Sequence, residues 1–89
     1  MKTLQDKLNY IVDIFWQIES KEDLRGFLED ILTPAEIETL YERLQIIKLL
    51  RQWLSQRQIA QQLNTSTATV NRWARVFKYG SWVLNKLKL

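Results

Sequence analysis

Gln56-Arg57-Gln58-Ile59-Ala60-Gln61-Gln62-Leu63-Asn64-Thr65-Ser66-Thr67-Ala68-Thr69-Val70-Asn71-Arg72-Trp73-Ala74-Arg75 is a run in which apolar residues return at helical steps on both sides of a polar break. Ser55, with Gln58 three residues on, forms a capping box that predicts a short helix through Leu63, with Ile59, Ala60 and Leu63 facing inward. Asn64 and Thr65 then supply a turn, and asparagine is the non-glycine residue that best tolerates a positive φ. Ser66 caps a second helix whose apolar side is Val70, Trp73, Ala74 and Phe77, with Gly80 expected as a left-handed stop. Two helices that cross steeply need a small residue where their backbones approach, and Ala60 stands there. The spacing is that of a helix-turn-helix. An αα-hairpin with no nucleic-acid role shares the same apolar positions, so the motif needs support from elsewhere in the chain.

Towards the N-terminus the helical period continues. Leu4, Leu8, Ile11, Val12, Phe15, Trp16 and Ile18 predict a first long helix with one broad apolar stripe. Ser20 and Asp23 mark the start of a shorter one carrying Leu24, Phe27, Leu28 and Ile31. Thr33, Pro34 and Glu36 combine a cap, a first-turn proline and a completing carboxylate, and so open a third helix. Its apolar positions Ile37, Leu40, Tyr41, Leu44, Ile47, Leu50 and Leu54 keep the period without a breaker, predicting a helix nearly to Leu54. Ser81 to Leu89 is expected as a last, weaker helix. The expectation is therefore an all-α chain of five to six helices forming one domain over residues 1–89. Dimerisation and core helices occupy 1–54, the helix-turn-helix 55–80 and a C-terminal helix 81–89. No alternating strand pattern competes.

Charge separates along the chain. Residues 1–42 hold all ten acids against four bases, a net charge of −6, whereas residues 43–89 hold nine bases and no acid, +9. A basic half of this kind is the footprint of a polyanion-binding surface, although a charge run by itself is most often a solvated face. Lys48, Arg51, Lys86 and Lys88 carry that default role. With no cysteine and no histidine, thiolate or imidazole metal sites, disulfides and the usual nucleophile–base pairs are ruled out. Carboxylates such as Asp30, Glu36 and Glu38 are explained by helix starts and solvated faces, so no enzyme and no metal site is expected. No apolar run approaches a membrane span and the first residues lack the core of a signal peptide, which makes the cytoplasm the expected compartment, with no membrane partner. A chain of 89 residues buries a smaller share of its surface than a longer one, which makes pairing with a second copy plausible.

From about Phe27 to Phe77 the chain resembles the tryptophan repressor family. The resemblance is carried by Leu32-Thr33-Pro34-Ala35-Glu36, Leu44 to Arg51, Ser55-Gln56-Arg57 and Ala68-Thr69-Val70-Asn71-Arg72. It implies an intertwined helical homodimer that exchanges N-terminal helices and presents two reading helices one helical turn apart on double-stranded DNA. Gln56 and Arg57 match family positions that contact DNA, Ser66, Thr67, Ala68, Asn71 and Arg72 stand near the start of the reading helix and on its polar side, where side chains reach base edges, and Arg75 and Lys78 suit phosphate; the alternative for each is an ordinary solvated residue. Thr67 and Ala68 suit thymine methyls, Asn71 suits adenine, and Arg72 suits guanine or phosphate.

The same resemblance aligns Thr33, Arg43 and Arg72 with positions that surround bound tryptophan, Arg43 on the indole and Arg72 near the carboxylate. Trp73 departs from the pattern, because ligand-binding members of the family have glycine there. An indole at that position either fills the pocket itself or serves as an ordinary core residue late in the motif. The expected function is a sequence-specific transcriptional regulator, a homodimeric repressor on a palindromic operator that acts without a cofactor. Two alternatives stay open: a repressor that responds to L-tryptophan, and a basic helical module that docks an acidic protein.

Overall fold

A computed structural model describes residues 1–80 and 82–89. The described residues form α1 (Leu4–Trp16), α2 (Lys21–Ile31), α3 (Pro34–Arg51), α4 (Gln56–Leu63) and α5 (Thr67–Tyr79), followed by a 3-10 turn at Trp82–Asn85, with no strand among them. The all-helical expectation holds. The chain divides into two compact units, Met1–Pro34 and Ala35–Leu89.

In the first unit, α1 opens on a capping box. The Thr3 hydroxyl accepts from the Asp6 amide at 3.1 Å, and the Asp6 carboxylate accepts from the Thr3 amide at 3.0 Å. Ser20 caps α2 by accepting from the Asp23 amide at 3.0 Å, while Glu22 and Asp23 meet the positive end of the helix dipole. Phe15 of α1 and Phe27 of α2 meet edge to face, their centroids 5.2 Å apart. No residue of α1 or α2 is buried, and Leu4, Leu8, Ile11, Val12, Phe15 and Trp16 stand exposed along the predicted stripe.

The second unit holds the core. Ile46 and Leu49 of α3, Ile59 and Ala60 of α4 and Val70 of α5 are buried together, with Leu50, Leu54, Leu63 and Trp73 packed around them. Only the C-terminal half of α3 contributes buried residues; Ile37, Leu40 and Tyr41 in its first half are exposed.

Three boundaries differ from expectation. First, α3 stops at Arg51 and does not run on to Leu54, because Trp53 takes a left-handed conformation, φ 63°. That reversal lets the Leu54 amide donate to Leu49 O at 3.3 Å, and Leu54 returns to the core in time for Ser55 to cap the next helix. Second, Gly80 ends α5 at φ −82°, so no left-handed stop is formed. Glycine serves there for space: its amide donates to Val76 O at 2.7 Å, and an added Cβ would stand 2.4 Å from the same oxygen. Third, the expected C-terminal α-helix is a four-residue 3-10 turn, Ser81 lying outside the described residues. Short isolated helices are marginal. This segment is instead fastened by the Arg51 guanidinium, which donates to Leu84 O at 3.3 Å and to Leu87 O, while Lys86 lies 3.8 Å over the Trp82 ring.

Candidate nucleic-acid interface

The joint between α4 and α5 is built from its caps. Ser55 Oγ accepts from the Gln58 amide at 3.1 Å, and Gln58 Oε1 accepts from the Ser55 amide at 2.9 Å, so the predicted box is complete. Asn64 takes the predicted left-handed conformation at φ 53°, and the Thr65 amide donates to Ala60 O at 3.0 Å. Ser66 caps α5 by accepting from the Thr69 amide at 3.1 Å. Three residues thus turn the chain from one helix to the next, and buried Ala60 beside Ile59 and Val70 lets the helices close together. Glu42, the last acid in the chain, accepts from the Thr65 hydroxyl at 3.3 Å and ties the turn to α3, a contact that composition and period gave no sign of.

With Val70, Trp73, Ala74 and Phe77 turned inward to differing degrees, the exposed residues of α5 are mostly polar or basic, with Ala68, Val76 and Tyr79 among them. Thr67 and Ala68 are exposed in the first turn; Asn71, Arg72 and Arg75 follow at helical spacing, and Lys78 in the last turn lies 5.3 Å from the Tyr79 ring. Ser66 is exposed, but its hydroxyl is committed to Thr69, whose own hydroxyl lies 2.9 Å away. Arg57 is exposed in the first turn of α4. Gln56 and Asn71, assigned to separate helices by sequence, meet directly: Asn71 Nδ2 donates to Gln56 Oε1 at 3.2 Å. The exposed Asn71 amide keeps a second N–H and a carbonyl oxygen, the donor–acceptor pair that an adenine edge requires.

The three positions aligned with a ligand pocket fall out differently. Thr33 belongs to the first unit, whereas Arg43 of α3 and Arg72 of α5 both meet the Trp73 indole. The Arg43 guanidinium carbon lies 4.7 Å from the ring centroid and that of Arg72 lies 5.4 Å from it. Trp73 is half-buried against the core cluster. The packing bears out the core reading of this residue, and the same indole also lies against the two arginines. Among the described residues no cluster of carboxylates is arranged to hold a metal ion, and no helix is long and apolar enough to cross a membrane.

Two short helices joined by a tight turn, the second with a polar and cationic outer face, define a helix-turn-helix DNA-binding protein. Residues 6–87 match the Trp repressor protein family, and the chain belongs to that family. It is a DNA-binding transcriptional regulator of an all-helical, non-enzymatic family. Its relatives include the uncharacterized protein YerC of Bacillus subtilis, 28% identical over 75 residues that cover 84% of this chain and 72% of that protein. A Trp operon repressor homolog of Vibrio cholerae is 36% identical over 69 residues, covering 76% of this chain and 67% of the relative. One from Pasteurella multocida is 40% identical over 63 residues, covering 64% and 62%. No solved structure matches the chain.

Proposed function

We propose that the protein is a repressor that binds a palindromic operator as a homodimer and does so without tryptophan. The observation that carries the DNA reading is the outer face of α5, where Asn71 is set by Gln56 between exposed Thr67 and Ala68 on one side and Arg72 and Arg75 on the other. In this reading Thr67 and Ala68 meet thymine methyls, Asn71 pairs with adenine and Arg72 reaches guanine or phosphate. Gln56, Arg57, Arg75 and Lys78 fix the register on phosphates, and Ser66 contributes through its cap. Relatives named as repressor homologs support the sign of the regulation.

Independence from tryptophan rests on Trp73. Its side chain already holds Arg43 and Arg72, so a free amino acid has to displace a covalently attached indole. The homodimer rests on the first unit, whose apolar stripe has no buried member in a single chain.

Selection of bound duplexes from a random pool at near-physiological salt tests the whole reading. The expected product is a palindrome with half-sites about one helical turn apart, enriched equally with and without L-tryptophan. Enrichment only in its presence would restore the co-repressor reading, and no enrichment would favour the protein-docking module.

A further inference from the structure

The chain makes the same turn twice. After α4 the Thr65 amide reaches back five residues to Ala60 O around a left-handed Asn64; after α3 the Leu54 amide reaches back five residues to Leu49 O around a left-handed Trp53. Asparagine is among the residues that accept this conformation, and glycine accepts it best. Tryptophan carries the full steric penalty between its Cβ and the carbonyl oxygen. Within the fold the Trp53 indole recovers nothing for that strain, since the residue is 93% exposed. The other tryptophan side chains of the second unit are engaged, Trp73 by Arg43 and Arg72 and Trp82 by Lys86. A strained, exposed indole at a turn that favours glycine points to a contact outside the chain.

Its place specifies the contact. Trp53 lies three residues before Gln56, which accepts a hydrogen bond from Asn71 on the outer face of α5, and four before exposed Arg57. At 3.8 Å per residue its Cα stands within about 11 Å of that of Gln56, so the residue lies close to the start of α4, whose Gln56 borders the reading face. Leu49, Leu50 and Leu54 beside it pack in or against the core, the other neighbours in the chain are polar or basic, Lys48, Gln52, Ser55, Gln56 and Arg57, and no acid follows Glu42. An apolar protein partner would meet no further large exposed hydrophobic residue between Gln52 and Arg75. A nucleic-acid strand offers both phosphates for the cations and the flat apolar face of deoxyribose for the indole.

We propose that Trp53 is a DNA-backbone contact, its indole laid on the sugar of a strand at the edge of each half-site beside the Arg57 phosphate contact. The proposal rests on the DNA-binding reading above. Because the surface it covers is sugar, it adds affinity without reading sequence, and because it is uncharged it displaces no counterion.

The test uses the full chain and its Trp53→Gly and Trp53→Phe variants. Fluorescence anisotropy is measured on the duplex recovered by selection and on a scrambled duplex across a salt series, together with thermal melts. Trp53→Gly is expected to melt a few degrees higher than the parent and to lose roughly tenfold in affinity for both duplexes, with the slope of log K against log salt unchanged. Trp53→Phe, which keeps a ring, is expected to restore most of that affinity. Parent-like binding by Trp53→Gly overturns the proposal, as does a loss confined to the selected duplex, which would make Trp53 a base reader. Should Trp53→Gly fold poorly, Trp53→Asn keeps a residue tolerant of the left-handed turn and is read by the same two outcomes. A parent that binds neither duplex overturns the DNA reading and this contact with it, whereas a parent that binds both while Trp53→Gly is unaffected removes the contact alone.

Discussion

Trp73 couples the reading helix to the rest of the second unit through one side chain. Its indole is packed on the core that α3, α4 and α5 share, and its ring faces receive a guanidinium from α3 and another from its neighbour in α5. Trp73→Ala is expected to destabilise the chain by about 2–4 kcal/mol, most of it lost packing and the remainder the two cation–aromatic contacts. Urea denaturation measures it; a loss under about 1 kcal/mol would mean that the indole rests on the surface of the core without contributing to it. Gly80→Ala is expected to cost about 1–3 kcal/mol, since the added methyl meets Val76 O and the last turn of α5 has to open. A melt identical to the parent's would show that this turn is already loose. At this scale legibility followed chemistry. Asn64 was readable because its side chain tolerates the left-handed region, whereas Trp53 in the same conformation was invisible, the strain there running against the residue's own preference. Gly80 was recognised as a helix end, but glycine permits both a left-handed φ and a close approach, and sequence does not separate the two.

Between elements, caps did most of the positioning and were also the features most legible in the sequence. Ser55 with Gln58, Ser66 and Ser20 were each placed correctly because a cap is a local arrangement of three or four residues, independent of tertiary packing. The Thr3–Asp6 box is the same kind of local signal, with Asp in place of the longer partner as at Ser20 and Asp23, and it was equally open to reading. The end of α3 and the C-terminal segment were misread for the opposite reason. Each is decided by distant contacts, the return of Leu54 to the core and the capture of Leu84 and Leu87 carbonyls by Arg51, and neither leaves a periodic trace. The Ser55 cap is the one with most consequence for the proposed site, since it fixes the residue after which Gln56 and Arg57 begin α4. Ser55→Ala is expected to cost about 1 kcal/mol of stability by leaving the Gln58 amide without its acceptor. It should also weaken DNA binding several-fold, because Gln56 then holds Asn71 less firmly. Ser55→Asp, which keeps a capping oxygen, should recover the stability. If stability falls while DNA affinity does not, α4 orients Asn71 by packing alone and the Gln56 bond is incidental.

For the molecule as a whole, the two units divide the labour suggested by the charge split. The first carries a net negative charge and an apolar stripe with nothing buried; the second carries the positive charge, the core and the candidate DNA surface. A stripe from Leu4 to Trp16 left in water is a solubility hazard, and two copies burying it against each other would remove the hazard and join two reading helices in one molecule. Sedimentation equilibrium is therefore expected to return twice the 10.7 kDa chain mass at micromolar concentration. Leu8→Lys combined with Ile11→Lys, two charges on the exposed face of α1, should return the mass of a single chain. The same double variant should bind a palindromic duplex at least about tenfold more weakly than the parent, because each half-site is then engaged without the effective concentration that a joined partner supplies. On a duplex bearing one half-site the variant and the parent should bind alike, since the residues of α4 and α5 are unchanged. This last comparison separates the two roles. An equal loss on one half-site and on two would mean that the substitutions had damaged the fold, and a parent that sediments as a single chain would leave the stripe to another partner.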